Sequence, residues 1–203
     1  MVPSIRLLGW YHSFYFFGGF RMDYVNHLEL YMSRETLDKI RQCDDIYLKS
    51  AVLVRMLFRD KKDKAGEAYI GHLIRVSNKM TTIEGKAAGL LHDVVEDIPD
   101  VEFDDLLDIG IPNDIIEALR LVTKEPTSKN LTQEEKLHRY NEEIDKIIAS
   151  GNNLALELKT ADMSDNFNPD RMAKLPLEKL IWFNEKYGKN LVKLRKEKRK
   201  REC

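Results

Sequence analysis

The sequence predicts an all-α protein that folds as one compact helical domain. Apolar residues recur three and four positions apart in a charged background through most of the chain, a pattern typical of amphipathic helices. No stretch keeps the strict alternation of a β-strand. The sequence has neither a glycine-rich phosphate loop nor a Gly-x-Ser-x-Gly turn. These observations exclude the usual nucleotide kinases, dehydrogenases and serine hydrolases.

The helices can be followed in order along the chain. The first clear one is centred on Leu48, Val52 and Met56, and the charged stretch RDKKDKAGE ends it at the helix breaker Gly66. The segment 84–97 is apolar around most of its circumference, so we expect it at the centre of the bundle. The predicted helices span approximately residues 48–56, 68–80, 84–97, 104–109, 115–122, 132–149, 154–166 and 177–194.

Proline and glycine mark most of the boundaries between these helices. Pro99 follows the segment 84–97 and stops it, since the residue before a proline disfavours helical geometry. Pro112 stands where the first turn of a helix tolerates proline. Gly151 and Pro169 delimit the helix that contains LELKTADMSDN.

The composition is that of a soluble globular domain. The chain has 203 residues, of which 43% are apolar and 33% charged, enough for one domain with a substantial core. The net charge of -1 indicates no nucleic-acid partner. Cys43 and Cys203 are expected to be free thiols in a reducing cytoplasm.

We divide the chain into three parts. Residues 1–31 form an N-terminal extension of uncertain order, residues 32–194 the helical domain, and residues 195–203 a basic C-terminal tail. The aromatic stretch 5–20 is too short to span a membrane and lacks the features of a signal peptide, so we expect no membrane span. The tail is expected to be a solvated end.

The segment LLHDVVED carries the first signal of chemistry. Four ionisable residues, His92, Asp93, Glu96 and Asp97, lie in an otherwise apolar helix. Burial of such groups is unfavourable unless they are paired. A metal cation is a suitable partner for an adjacent histidine and aspartate.

Further ligands would have to come from other helices. His72 lies in an apolar helix, and Asp162 shares a helix face with Asp165 and Asn166. Two imidazoles and two carboxylates can hold one divalent ion. Such a mixed set suits Mn, Fe or Zn better than Ca.

Each of these residues taken alone has a structural alternative. A His-Asp pair occurs often by chance, His72 could be a satisfied core histidine, and Asp162 an ordinary carboxylate on a helix face. The joint pattern favours a metal site.

These motifs together resemble the HD superfamily of metal-dependent phosphohydrolases. More narrowly, they resemble the hydrolase domain of the bacterial stringent-response Rel/Spo enzymes and the stand-alone small alarmone hydrolases. The resemblance covers roughly residues 45–170 and implies a single HD-type helical bundle domain. The matching stretches are KAGEAYIGHLIRV (64–76), AAGLLHDVVEDIPD (87–100), LVTK (121–124) and LKTADMSDN (158–166).

The resemblance also implies roles for individual residues. The metal ligands would be His72, His92, Asp93 and Asp162. Glu96 and Asp97 would be the acid/base pair that orients and activates water, and Lys64, Tyr69 and Asn166 would contact the substrate. Lys64, Arg75, Lys79 and Lys159 are candidates to meet phosphates, although a solvated surface position is the alternative for each.

The sequence departs from the Rel/Spo pattern at three positions. Asp63 stands where those hydrolases carry an arginine that stacks on guanine. Asp165 replaces a histidine, and Ala68 replaces a proline.

We therefore expect a metal-dependent phosphohydrolase that acts on a small nucleotide with one divalent ion, Mn²⁺ being favoured and Fe or Zn possible. The favoured substrate is guanosine 3′,5′-bis-diphosphate, hydrolysed with release of the 3′ pyrophosphate. One alternative is a nucleotide monophosphatase or phosphodiesterase of the wider HD group. Others are a binding module that senses a nucleotide or metal with little turnover, and an interaction protein with a coincidental His-Asp pair.

Overall fold

The computed structural model of the chain describes residues 25–63, 66–124, 131–173 and 175–202. The described chain is helical, which confirms the predicted all-α class and the single helical domain. The aromatic stretch 5–20 and Cys203 lie outside the described residues. In chain order the helices are a 3-10 helix His27–Leu30, α1 Arg34–Arg41, α2 Ile46–Leu57, α3 Ile70–Ser77, α4 Ile83–Leu91, α5 Val94–Asp97, α6 Phe103–Asp108, α7 Asn113–Val122, α8 Gln133–Ala149, α9 Asn153–Asn166, α10 Pro169–Met172 and α11 Leu177–Glu202.

Local signals account for the beginnings of most helices. Asp45, Thr82 and Asn152 each accept a hydrogen bond from a backbone N–H in the first turn of α2, α4 and α9, respectively. Thr132 and Glu135 form a reciprocal capping box at the start of α8. These caps satisfy backbone donors that a helix leaves unpaired.

The apolar helix α4 is central, as its composition predicted. It contacts α2, α3, α7 and α9, and Ala87, Ala88, Leu90 and Leu91 are buried. A Cβ atom at Gly89 would lie 2.6 Å from the Cα of Ser77, so glycine is what allows α3 and α4 to approach this closely. This packing brings the side chains of α3, α4 and α9 together.

The end of the predicted N-terminal extension belongs to the folded body. Leu28 is fully buried. The Asn26 side chain donates to the backbone oxygen of Asp105 at 2.9 Å and to Asp108 Oδ2 at 2.8 Å. Neither the 3-10 helix nor α1 was predicted from the sequence.

The last helix extends beyond the predicted end at Leu194. It continues to Glu202, and Arg201 donates to the backbone oxygen of Ile148 at 2.7 Å. The basic segment is therefore helical, and this arginine holds it against α8. Within the described parts of the chain, no helix is both long and apolar enough to cross a membrane.

Candidate metal centre and active site

Four side chains converge where α3, α4 and α9 meet. His72 lies on α3, and His92 and Asp93 directly follow α4. One ligand atom from each of these three residues lies within 4.8 Å of the other two. Asp162, on α9, places Oδ1 3.4 Å from His72 Nε2 and 3.7 Å from His92 Nε2. The structure thus brings together the four side chains predicted as ligands.

The spacing of these atoms suits a single ion. Asp93 Oδ2 lies 3.1 Å from His92 Nε2 and 3.7 Å from His72 Nε2. Two ligands on bonds of about 2.0–2.2 Å are roughly 3–4 Å apart when they occupy neighbouring coordination positions. The four side chains are therefore already close to the separations that one divalent ion requires.

Both imidazoles present Nε2 to this centre because Nδ1 is engaged elsewhere. His72 Nδ1 lies 2.8 Å from Asp165 Oδ2, and His92 Nδ1 lies 2.8 Å from the backbone oxygen of Gly89. A carboxylate and a carbonyl can only accept, so Nδ1 is the donor in both rings. In the neutral tautomer, each Nε2 then directs a lone pair toward the carboxylates.

This arrangement fits a metal cation. Among the described residues, the buried His92 Nε2 has no hydrogen-bond partner, although Asp93 Oδ2 is near it. A buried lone pair beside carboxylate oxygens is unfavourable unless a positive charge lies between them. A divalent ion bound by two imidazoles and two carboxylates supplies that charge.

The pKa shifts of the four side chains reflect the same need for a positive charge between the carboxylates. Burial by itself lowers the pKa of His72 and His92, but the neighbouring carboxylates outweigh it and raise the pKa of each imidazole. Burial by itself raises the pKa of Asp93 and Asp162, but the imidazoles hold both carboxyl pKa values below their usual range. In the absence of an ion, protons on the imidazoles therefore supply the positive charge that the carboxylates need.

The chain is not helical through the ligands. The prediction of one continuous helix over 84–97 is wrong, because α4 ends before His92 and α5 begins after Asp93. His92 Nδ1 donates to the backbone oxygen of Gly89, and the hydroxyl of Tyr69 donates to Asp93 Oδ2 at 2.6 Å. These contacts hold the two side chains at the interruption between α4 and α5.

Neighbouring residues hold Asp93 and Asp162 in place. Burial, followed by the charge of Asp93, raises the pKa of Tyr69, so its hydroxyl keeps its proton and remains a donor. Asn166 Nδ2 donates to Asp162 Oδ1 at 2.5 Å, and Lys159 Nζ lies 3.5 Å from Asp162 Oδ2. Lys159 is buried rather than solvated. These three residues, predicted to contact the substrate, thus contact the candidate ligands.

The predicted acid/base pair is divided between two environments. Glu96 Oε1 pairs with Lys124 Nζ at 2.5 Å, whereas Asp97 Oδ2 pairs with Lys61 Nζ at 2.9 Å. The nitrogen of Lys61 also lies 5.0 Å from the centre of the Tyr69 ring. The two adjacent carboxylates thus face different lysines.

Glu96 borders a narrow cavity at the candidate metal centre. The cavity measures about 10 Å³, which is close to the space of one water molecule. Asp97 is not part of its lining. The lining residues are His92, Asp93, Glu96, Val122, Lys124, Leu158, Lys159 and Asp162.

A second cavity, of about 130 Å³, borders His72. Its wall combines aromatic and apolar side chains with the ionic pair of Asp63 and Arg171, whose Oδ2 and Nη2 atoms are 3.2 Å apart. Such a mixture suits a flat, partly polar ligand. The lining residues are Asp63, Tyr69, His72, Asn166, Arg171, Leu175, Phe183 and Tyr187.

Two residues of this site were not predicted from the sequence, and one predicted substrate contact cannot be placed. Lys124 stands in the LVTK stretch, one of the segments that resemble the Rel/Spo hydrolases, but no role was predicted for it. Arg171 had no signal in the sequence, because its position depends on contacts with Asp63 and Asp165. Lys64 lies outside the described residues.

Comparisons with known proteins bear on the fold. No protein-family model matches the chain, and no curated protein matches it. A solved structure does, described as "A metazoan ortholog of SpoT hydrolyzes ppGpp and plays a role in starvation responses". The chain has the fold of that hydrolase. The TM-score is 0.56 at 23% sequence identity, and the match covers 78% of this chain and 97% of the other. It confirms the predicted fold resemblance to the Rel/Spo hydrolase domain.

Proposed function

We propose that this protein is a metal-dependent phosphohydrolase of the HD type that acts on a small nucleotide. The observation that carries the proposal is the convergence of two imidazole nitrogens and two carboxylates. Within the part of the chain that the structure describes, the buried His92 Nε2 finds no hydrogen-bond partner. The residues that would hold the ion are His72, His92, Asp93 and Asp162. Mn²⁺ is favoured, with Fe and Zn as alternatives.

The bound ion would neutralise phosphate charge and lower the pKa of a water molecule toward neutrality. Glu96 is the candidate base, since its carboxylate borders the one-water cavity and can take a proton from that water. Lys124 holds Glu96 in position, and Lys159 adds positive charge on the same cavity wall. The ion pair with Lys61 leaves Asp97 a supporting role beside Tyr69.

Guanosine 3′,5′-bis-diphosphate remains the favoured substrate. Support comes from the shared fold with a protein described as hydrolysing ppGpp. Water would attack the phosphorus that is bonded to the ribose 3′ oxygen. That P–O bond breaks, pyrophosphate leaves, and the 3′ oxygen ends as a hydroxyl after it receives a proton.

A second candidate is a nucleotide monophosphatase or phosphodiesterase of the wider HD group. The observation that favours it is at Asp63, which occupies the position of the guanine-stacking arginine of Rel/Spo hydrolases. Its carboxylate is paired with Arg171 and thus presents a different surface to a base.

The test is hydrolysis by the purified protein in Mn²⁺, with guanosine 3′,5′-bis-diphosphate beside mononucleotides and cyclic nucleotides. Asp93→Ala should lose both Mn²⁺ binding and activity. Glu96→Gln should keep Mn²⁺ and lose about 100-fold or more in kcat, the usual size of a general-base contribution. Asp170→Asn, an exposed change on α10, serves as the control.

Three results can be distinguished. Release of pyrophosphate by the wild type and not by Asp93→Ala supports the alarmone substrate. Turnover of other nucleotides alone would move the substrate assignment to the second candidate. Mn²⁺ binding without turnover of any substrate would overturn the enzymatic proposal and favour the sensor module.

A further inference from the structure

More hydrogen-bond donors surround the carboxylate of Asp165 than it has lone-pair positions to accept. It is fully buried, and five nitrogen atoms from four residues reach its two oxygens. They are His72 Nδ1 at 2.8 Å, Arg75 Nε at 2.9 Å, Arg75 Nη2 at 3.2 Å, Lys79 Nζ at 3.0 Å and Arg171 Nη1 at 2.5 Å. An ionised carboxylate offers about four lone-pair positions. One of these donors can therefore be withdrawn while Asp165 stays fully satisfied.

The positive charge around Asp165 is also in excess. Three cationic side chains, Arg75, Lys79 and Arg171, converge on this carboxylate. Asp63 adds a second carboxylate on the side of Arg171. The cluster therefore retains positive charge that can attract an anion.

Arg171 is the donor best placed to meet a ligand. It borders the 130 Å³ cavity together with His72, whereas Arg75 and Lys79 are not part of that lining. Its contact with Asp63 would still orient the guanidinium if its contact with Asp165 were given up. A guanidinium held from one side can present a planar pair of N–H groups to a phosphate.

We propose that Arg171 binds a phosphate group of the substrate other than the one hydrolysed. On binding, the guanidinium gives up its contact with Asp165 for the phosphate and keeps its contact with Asp63. The inference rests on the proposed function and deepens it. It assigns to the site a nucleotide phosphorylated at two positions. The imidazole of His72 separates the two phosphate positions, since Nε2 faces the metal centre and Nδ1 lies 3.2 Å from Arg171 Nη1.

The test is binding of nucleoside diphosphates that lack the scissile group. Calorimetry on the Mn²⁺-loaded protein would compare GDP and ADP, each with its unphosphorylated nucleoside. Arg171→Gln should weaken diphosphate binding by about 10- to 100-fold, the usual effect of losing a charge-assisted hydrogen bond. Nucleoside binding should change by less than twofold. Arg171→Lys, which keeps the charge without the planar donors, should recover part of the loss.

Two controls separate this role from a structural one. Arg75→Gln removes a partner of the same carboxylate outside the cavity lining. It should weaken diphosphate binding far less than Arg171→Gln does, since it lowers the local positive charge without removing a direct donor. The wild type should keep GDP binding when EDTA removes the ion, since the phosphate is held by Arg171 and not by the ion. Mn²⁺ affinity of Arg171→Gln should stay within about twofold of the wild type, because His72 keeps its contact with Asp165.

The outcomes do not depend on turnover. If neither GDP nor ADP binds more tightly than its nucleoside, the proposal is overturned. It is equally overturned if Arg171→Gln weakens diphosphate, nucleoside and Mn²⁺ binding together, which indicates a structural role. Selective loss of diphosphate binding in Arg171→Gln supports the phosphate site even if no substrate is hydrolysed. A failure of the phosphate-site proposal can therefore be distinguished from a failure of the proposed hydrolase function.

Discussion

At the scale of single residues, the candidate metal centre depends on the hydrogen-bond partner of Nδ1 in each imidazole. Asp165 fixes His72 through Nδ1, and the carbonyl of Gly89 does the same for His92. A carboxylate behind a histidine ligand orients the ring and makes it a stronger base. Asp165, which replaces a histidine of the Rel/Spo pattern, is thus suited to tune the affinity for a metal.

Asp165→Asn should weaken Mn²⁺ binding by about 10- to 100-fold, the usual effect of losing a carboxylate behind a histidine ligand. The amide keeps an acceptor for His72 Nδ1 but removes the negative charge. Titration of the metal-free protein with Mn²⁺ measures the change. Asp170→Asn, the same substitution at an exposed position on α10, should bind Mn²⁺ like the wild type. Equal affinity for the two variants would contradict the role given to Asp165.

At the scale of elements, the close approach of α3 and α4 sets the distance between the two histidines. Gly89 makes it possible because even a methyl group there would overlap the backbone of Ser77, whose N lies 2.9 Å from the Cβ position. His72 comes from one of these helices and His92 follows the other. Packing between the helices therefore controls the geometry of the candidate metal ligands.

Gly89→Ala should destabilise the protein by about 1–3 kcal/mol, as overpacking of a tight contact does, and should also weaken Mn²⁺ binding. Urea denaturation and metal titration measure the two effects. Gly188→Ala on α11 is the matched control, because the nearest atom to its Cβ position is 3.5 Å away. Alanine there should be neutral or stabilise α11 by about 0.5–1 kcal/mol. Normal Mn²⁺ affinity in Gly89→Ala would show that this contact does not govern the centre.

At the scale of the whole molecule, the candidate metal centre links the free energy of unfolding to pH. Without an ion, the carboxylates raise the pKa of His72 and His92 above the ordinary value of 6.5. The protonated imidazoles then stabilise the folded state fully below pH 6.5, and this contribution is lost as the pH rises through the raised pKa values. Metal binding requires neutral imidazoles and therefore has the opposite pH dependence.

Above pH 6.5, the free energies of unfolding measured in EDTA and in Mn²⁺ should therefore diverge. In EDTA, the free energy of unfolding should fall as the pH rises. In saturating Mn²⁺ the stabilisation should grow with pH, reaching about 2.7 kcal/mol once free Mn²⁺ is 100 times its dissociation constant. His92→Gln should remove most of the divergence. Parallel curves in EDTA and Mn²⁺ would exclude a metal site that depends on these histidines.

Local patterns predicted a large part of the fold and the candidate ligands. The helical class and the central position of α4 follow from spacing and apolar content, which act within one element. The residues could be named as candidate ligands because ionisable side chains in apolar helices require a partner. These signals are confined to segments of at most about twenty residues.

By itself, the sequence determined that the chain is helical, which helix lies at its centre, and which side chains are candidates to meet a metal. Only the tertiary structure decided where the ligand segment leaves the helix, how Glu96 and Asp97 divide between Lys124 and Lys61, and that Arg171 reaches Asp63. The physical reason is separation along the chain. Arg171 and Asp63 are 108 residues apart, and a contact over that distance leaves no periodic trace in either segment.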